Sequence, residues 1–211
     1  MSEGRLIAIG DIHGVDNKLA NLLEKLSPNS SDKFVFLGDY IDRGDYSRQV
    51  VDRVINLSKI CHCEFLLGNH EYFMLQTLKG EKTSEYFFMT YGGKQTIESY
   101  GGDIKNIMNI HGDFYNSLKL YYETDKFFFV HGGINPQKSL ENQELMDLVM
   151  IREQFIDFPH NLQGKKVIFG HTPFSKPLVR EDKIGIDTGC GKYDDAMLTA
   201  YICNENKFVQ V

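Results

Sequence analysis

Short apolar runs recur along this chain, and most of them stop at a glycine or at a residue that can bind a metal. The eight runs are RLIAIG, KFVFLG, CEFLLG, KFFFV, KVIFG, KIGID, MLTAYIC and FVQV. Runs of this length, rich in β-branched and aromatic residues and bounded by glycine, are typical of buried β-strands. Because helical patterns separate several of them, the order of elements predicts a sheet-rich fold of the α/β (α+β) class.

Apolar residues with helical spacing lie between these runs. Four leucines from Leu19 to Leu26 recur at i, i+3, i+4 and i+7, which predicts an amphipathic helix over residues 16–26. A valine-rich stretch at 50–55 marks a second helix, and residues 144–155 have the pattern of a later one. The stripe of each helix is expected to pack on the sheet.

The middle of the chain, residues 72–123, has a different composition. It contains helical patches rich in Tyr, Phe and Met that are interrupted by YGGKQT and SYGGD. Glycine pairs of this kind punctuate helices, so the segment predicts a small helical cap beside the sheet. Its aromatic residues are more typical of packing than of a substrate-binding surface.

Composition limits the classes of protein that the chain can belong to. With 211 residues, of which 42% are apolar, it can bury a substantial core, and we expect one domain covering 1–211. The net charge is −6 and no Lys/Arg-rich block occurs, which argues against nucleic acid or an anionic membrane as a partner. Cysteine spacing indicates free thiols, and no signal or membrane-spanning pattern occurs, so a cytoplasmic monomer is expected.

Residues that can bind metals cluster at the ends of five of the strand-like runs. They are Asp11 and His13 after RLIAIG, Asp39 after KFVFLG, Asn69 and His70 after CEFLLG, His131 after KFFFV, and His171 after KVIFG. In α/β sheets, ligands bind beyond the carboxyl ends of the strands, where the connecting loops meet. One short motif of this kind is weak evidence, but five at successive strand ends predict a single polar site.

The chemistry of this set suits a pair of divalent cations. Without His70, the set supplies two carboxylates, one amide oxygen and three imidazoles. These are more ligands than a single ion needs. Two ions about 3.5–4 Å apart, bridged by a carboxylate, would use these ligands and leave positions for water and substrate. Mixed oxygen and imidazole ligation favours manganese, iron or zinc over calcium.

The motifs GDIHG, GDYIDRG, GNHE, HGG and GHT occur here in the order found in metallophosphoesterases, and the chain resembles their phosphoprotein phosphatase (PPP) family. The tail IDTGCG, followed by LTAY, is similar to that of small bacterial and phage serine/threonine phosphatases. The resemblance implies a calcineurin-like β-sandwich flanked by helices, with a two-metal site at one edge. It also implies two divalent cations, with Mn²⁺ preferred and Fe or Zn as alternatives.

Carried over motif by motif, the resemblance implies a role for each residue of the metal site. Asp11 and His13 are expected on the first metal, and Asp39 is expected to bridge both. Asn69, His131 and His171 would complete the second.

The resemblance also implies catalytic and substrate-binding roles. His70 would act as the general acid, oriented by Asp42, and both belong with Arg43 and Arg152 in the predicted catalytic set. Arg43 and Arg152 would grip the phosphoryl group, and Asn69 and His70 would also contact substrate. A metal-activated hydroxide would attack phosphorus in line with the leaving group.

Several substrates remain open at this level. A phosphorylated protein or peptide, with phosphoserine or phosphothreonine and also phosphotyrosine, is the favoured partner, because the resemblance to small protein phosphatases extends along the chain. Symmetrical cleavage of diadenosine tetraphosphate, a dinucleoside polyphosphate, is the alternative. A nuclease is disfavoured because no basic track occurs, and a non-catalytic phosphopeptide-binding module would be expected to lack a metal ligand or the acid, whereas none is missing.

Overall fold

The computed structural model describes residues 4–211, which form two five-stranded sheets. The strands are β1 (Leu6–Ile9), β2 (Lys33–Phe36), β3 (His62–Phe65), β4 (Tyr121–Glu123), β5 (Phe127–Val130), β6 (Lys166–Phe169), β7 (Leu178–Val179), β8 (Lys183–Gly185), β9 (Thr199–Ile202) and β10 (Lys207–Gln210). The first sheet has the order β10-β9-β1-β2-β3, and the second has the order β4-β5-β6-β8-β7.

Each sheet contains three adjacent parallel strands and two antiparallel strands. β1, β2 and β3 run parallel, while β9 and β10 are antiparallel to their neighbours. β5, β6 and β8 run parallel in the second sheet, and β4 and β7 are its antiparallel edges. Because Ile9 pairs with Phe36 and Phe36 with Phe65, the loops that follow the first three strands begin side by side.

Eight α-helices surround the sheets in the described part of the chain. They are α1 (Asp16–Leu26), α2 (Ser47–Ser58), α3 (Asn69–Leu78), α4 (Lys82–Thr90), α5 (Gly93–Ser99), α6 (Lys105–Asn116), α7 (Leu145–Met150) and α8 (Glu153–Ile156). None of the helices between residues 4 and 211 has both the length and the apolarity needed to cross a membrane.

The hydrophobic core is divided into three layers by the two sheets. The inner layer joins both sheets and contains Ala8, Val35 and Leu37 from the first and Phe129 and Ile168 from the second. Helices α1 to α6 cover the outer face of the first sheet, and α7 and α8 cover that of the second. This is the predicted β-sandwich flanked by helices, and α3 to α6 form the predicted helical cap.

The predicted helix over 16–26 is confirmed, but two other local predictions differ from the structure. The single helix predicted over 144–155 is wrong, because the backbone is extended at Ile151 and departs from helical angles at Arg152. Carbonyls near the end of α7 bind neighbouring loops: Gly132 donates its N–H to Leu148 O. The edge strands β4 and β7 are also missing from the prediction, since they have only three and two residues.

Glycine at position 38 is required by a close approach between loops of the first sheet. Gly38 has φ +104°, and a Cβ atom there would lie 2.6 Å from the amide nitrogen of Gly68 and 3.0 Å from His131 Nδ1. Gly102 has a similar φ of +86°, but nothing lies within 4 Å of its Cβ position. Substitutions at Gly102 and Gly38 therefore separate the cost of left-handed backbone strain from the cost of a steric clash.

We expect Gly102→Ala to lower the free energy of unfolding by about 1–2 kcal/mol, the usual strain of a left-handed alanine. Gly38→Ala should lower it by more than about 3 kcal/mol, because backbone atoms must also move. Urea unfolding of both variants checks this, provided that the m-value stays constant. Equal losses would show that the loops yield easily at Gly38.

Candidate active site

Asp39 lies at the centre of a cluster of buried side chains. It follows Gly38 at the end of β2, is 2% exposed, and has its Oδ1 3.4 Å from His131 Nε2 and its Oδ2 3.5 Å from His13 Nε2. Two groups of potential metal ligands share it: Asp39 with His13 and His70, and Asp39 with His131 and His171. A carboxylate common to two ligand groups is what a bridge between two cations requires.

The orientation of the histidine rings is determined by backbone carbonyls on their far sides. His13 Nδ1 lies 3.0 Å from Ile41 O, and His131 Nδ1 lies 2.9 Å from Leu37 O. Each Nδ1 must donate its proton to satisfy a carbonyl, so in the neutral ring Nε2 keeps a lone pair directed at Asp39. This is the arrangement in which proteins hold metal-binding histidines.

His171 is held in the same way, with its two nitrogens exchanged. Its Nε2 lies 3.2 Å from Met150 O, which leaves the lone pair on Nδ1, 2.8 Å from Asn69 Oδ1. His131 Nε2 lies 2.9 Å from the same amide oxygen. Three acceptor atoms therefore converge on one point, and a cation bound there would be attracted by all of them.

Asp11 lies beside this cluster but outside both ligand groups. Its two carboxylate oxygens accept from the backbone N–H of His171 at 3.2 and 3.0 Å. Asp187, which follows β8, is also buried, and burial together with Asp39 raises its pKa to about 6. Burial, then Asp187 and Asp39, raise the pKa of Asp11 well above its ordinary value.

The residues therefore fit a divalent metal centre. Buried carboxylates repel one another, and ring lone pairs face oxygen atoms, so bound cations would relieve both conflicts. Burial lowers the pKa of His13 and of His171 well below the usual value, which keeps their rings neutral and able to bind metal.

His70 differs from the other histidines because a carboxylate binds its far nitrogen. Nδ1 lies 2.6 Å from Asp42 Oδ2, while Nε2 lies 3.8 Å from Asp39 Oδ2 and 3.3 Å from Arg43 Nη2. Burial lowers the pKa of His70, but Asp39 and Asp42 outweigh it, so the pKa lies above its ordinary value. A histidine that holds a proton beside a guanidinium can donate it to a leaving group.

The loops that carry these residues are held together by one carboxylate. Glu71 accepts from the backbone N–H groups of Asp39 and Tyr40 at 2.9 Å, of Gly68 at 3.2 Å and of Ile41 at 3.3 Å. Its side chain is completely buried. Glu71 thereby joins the loop after β2 to the loop after β3.

Backbone strain is concentrated in the same loops. Seven non-glycine residues in the described range 4–211 have positive φ, and five of them belong to the candidate site: His13, Asp39, Asp42, Arg43 and His171. Left-handed conformations of such residues cost about 1–3 kcal/mol each and persist where the surrounding structure enforces them. The enforced geometry aims their side chains at a common centre.

A cleft of about 710 Å³ opens over this centre. Arg43 and Arg152 line it together with Lys192, and Arg152 reaches it because the helix breaks at that residue. The cap contributes Phe87 and Tyr91, whose rings are nearly parallel, with an interplanar angle of 6°. The cleft therefore combines cations for an anionic group with an aromatic wall.

The structure brings together every residue predicted for the site, although Asp11 stands apart from the two ligand groups. Sequence reasoning assigned no role to Asp187, Lys192 or Thr96 and interpreted Tyr91 as a packing residue, whereas Tyr91 is half-exposed and lines the cleft. Asp187 is the last residue of KIGID and comes directly after its apolar part, as the other candidate ligands come after theirs, so it had a usable signal. Thr96 and Tyr91 belong to the YGGKQT motif, whose resemblance to a segment of small bacterial phosphatases placed it beside the site but gave neither residue a role.

The profile of the calcineurin-like phosphoesterase family matches residues 4–211. The chain belongs to this family. This membership confirms the predicted resemblance to metallophosphoesterases. Because the family uses divalent metals, it also agrees with the metal-binding geometry of the site.

Two curated relatives of this calcineurin-like chain have different named activities. The asymmetrical bis(5'-nucleosyl)-tetraphosphatase PrpE of Oceanobacillus iheyensis is 28% identical over 232 residues, covering 96% of this chain and 90% of its own length. The serine/threonine-protein phosphatase PP2A-like PPG1 of Saccharomyces cerevisiae is 29% identical over 156 residues, covering 72% of this chain. The matched region spans only 38% of PPG1.

Among solved structures, a provisionally assigned diadenosine tetraphosphatase has the same fold. It aligns with a TM-score of 0.75, covers 100% of this chain and 94% of its own, and is 21% identical. At that identity, the likeness concerns the fold alone.

We expect Asp39→Asn to weaken binding of Mn²⁺ by at least about 100-fold and to abolish most hydrolytic activity, because it removes the charge shared by both ligand groups. Calorimetric titration with Mn²⁺ measures the affinity and the number of ions bound. Asp45→Asn is the matched control, since Asp45 is exposed in the same loop. Binding of two ions with wild-type affinity by Asp39→Asn would contradict the bridging role.

Proposed function

We propose that this protein is a metal-dependent phosphomonoester hydrolase that acts on phosphoserine and phosphothreonine in proteins, with phosphotyrosine as a further substrate. The observation that carries the proposal is the pair formed by His70 and Asp42, joined at 2.6 Å next to Arg43 and to the ligand groups around Asp39. A proton donor, an anion-binding guanidinium and a candidate metal centre are the parts that phosphoester hydrolysis needs.

The charged residues of the cleft have two proposed roles, phosphate binding and proton donation. Arg43 and Arg152 line the cleft and can form parallel hydrogen bonds with phosphoryl oxygens, which a lysine could not. His70 Nε2 faces the same space and would give its proton to the leaving alkoxide, while Asp42 holds the opposite ring nitrogen. These roles explain why the loop that follows the buried strand β2 carries charged residues such as Asp42 and Arg43.

The metal ligands proposed are those named from the sequence. Asp11 and His13 would hold one ion, Asn69, His131 and His171 the other, and Asp39 both. When bound, divalent ions supply Lewis acidity, which neutralises phosphoryl charge and lowers the pKa of water. The mixture of carboxylate, amide and imidazole ligands supports Mn²⁺, with Fe or Zn as alternatives.

A second function, hydrolysis of dinucleoside tetraphosphates, is favoured by the aromatic wall of the cleft. Tyr91 is 51% exposed, and its ring centroid lies 6.5 Å from that of His70, where a leaving group would be placed. A planar base can stack on such a surface. The PrpE relative, which aligns over 90% of its own length, bears the name of an asymmetrical enzyme, whereas the sequence resemblance implied symmetrical cleavage.

The two functions are separated by comparing kcat/KM for a phosphothreonine peptide and for diadenosine tetraphosphate in the presence of Mn²⁺. A preference for the peptide would support the protein phosphatase. A preference for the nucleotide would support the second function, and its products distinguish the two modes: two ADP from symmetrical cleavage, ATP and AMP from asymmetrical cleavage.

Tyr91→Ala tests the aromatic wall directly. If bases stack on Tyr91, we expect kcat/KM for diadenosine tetraphosphate to fall about tenfold, in keeping with the energy of one aromatic stacking contact. Tyr86→Ala is the control, because Tyr86 is 67% exposed on the same cap and lies outside the cleft. An unchanged value for Tyr91→Ala would remove this support for the second function.

His70→Asn tests the general acid. The variant should retain metal but hydrolyse phenyl phosphate at least about 100-fold more slowly, because phenolate needs protonation. The loss should be much smaller for p-nitrophenyl phosphate, whose leaving group is stable without a proton. Equal losses for both esters would contradict the assignment.

A further inference from the structure

The YGGKQT segment, residues 91–96, belongs to the cap in sequence but contacts the loop that carries Asp42 and Arg43. Gly92 has φ +112°, and a Cβ atom there would lie 2.2 Å from the backbone nitrogen of Arg43. The two backbones therefore meet without an intervening side chain. This contact places the first turn of α5 directly behind the proposed catalytic loop.

Thr96, on that turn, is completely buried and bonds to Asp42 twice. Its hydroxyl donates to Asp42 Oδ1 at 2.5 Å and accepts from the Asp42 backbone N–H at 2.9 Å. Ser47 Oγ lies 3.1 Å from Thr96 Oγ1 and also accepts from the Asp42 N–H, at 3.1 Å. The polar groups of this contact are therefore satisfied without water.

These bonds assign the two oxygens of the Asp42 carboxylate to different partners. Oδ1 binds the Thr96 hydroxyl, and Oδ2 binds His70 Nδ1 at 2.6 Å. Rotation of an aspartate carboxylate about χ2 is only weakly restricted by its own torsional preference. The Thr96 hydroxyl supplies the missing restriction, and with it the direction in which Oδ2 points.

We propose that Thr96 is a positioning residue for the reaction: it orients Asp42 so that His70 Nε2 faces the leaving group. The inference rests on the proposed function, because it requires His70 to be the general acid. It also gives the cap a catalytic purpose, since a residue of α5 determines the geometry of a pair formed by Asp42, on the loop after β2, and His70, at the start of α3.

A purely structural role makes a different prediction. If Thr96 only ties the cap to the sheet, its loss should lower stability or slow all substrates alike. If it orients the acid, its loss should slow only those substrates that need a proton. The two roles are therefore separated by the leaving group and not by the size of the effect.

The test compares Thr96→Val, which keeps the shape but loses the hydroxyl, with Thr96→Ser, which keeps the donor. We expect Thr96→Val to slow kcat for phenyl phosphate by about 10- to 100-fold, within the contribution of general acid catalysis, and for p-nitrophenyl phosphate by less than about threefold. Thr96→Ser should restore phenyl phosphate hydrolysis to within about threefold of wild type, since the hydrogen bond is retained.

Thr77→Val is the matched control, because it makes the same change on a partly buried cap threonine that bonds only to Phe73 O. It should leave both rates unchanged. Calorimetric titration with Mn²⁺ should give wild-type stoichiometry and affinity for Thr96→Val, as the proposed ligands are untouched.

Equal slowing of both esters by Thr96→Val, failure of Thr96→Ser to restore the rate, or loss of Mn²⁺ binding would each overturn the positioning role. His70→Asn, assayed alongside, separates the two levels of the proposal. If His70→Asn discriminates between the esters and Thr96→Val does not, only the inference about Thr96 fails. If His70→Asn does not discriminate either, the general-acid function itself is wrong.

Discussion

The burial of the Asp39 carboxylate is the constraint on which the rest of the site depends. An isolated buried carboxylate is strongly unfavourable, so it must be paired, hydrogen-bonded or bound to a cation. Here His131 Nε2 and His13 Nε2 lie 3.4 and 3.5 Å from its oxygens, and Oδ1 also accepts from the His70 N–H at 3.1 Å. The two sheets must hold these groups in place, since their mutual repulsion would otherwise separate them.

The sandwich provides that rigidity, and the loops add direction. Parallel strands in both sheets end at the same edge, so short loops deliver ligands from each sheet without long, mobile connections. Glu71 then joins two of these loops through four backbone N–H groups. Thr96 connects the cap to the catalytic pair, because its hydroxyl binds Asp42, whose other carboxylate oxygen binds His70.

Much of this arrangement could be predicted from the sequence, because metal ligands at strand ends produce a recurring sequence pattern. A metal-capable residue at the end of an apolar run, with glycine beside it, predicted Asp39, His131 and His171 as candidate ligands. The helical spacing of the leucines predicted α1 with its bounds. The break at Arg152 could not be predicted, because it depends on hydrogen bonds from distant loops to carbonyls of α7. Local pattern carries no information about such partners.

The sequence by itself determined the fold class, the family and the set of candidate ligands, because these follow from periodicity and from motifs a few residues long. Only the tertiary structure decided which groups meet. It placed Thr96 against Asp42, 54 positions away, and Tyr91 beside His70. The reason is physical: a hydrogen bond acts over about 3 Å of space, whereas the chain that joins its two ends can follow many paths.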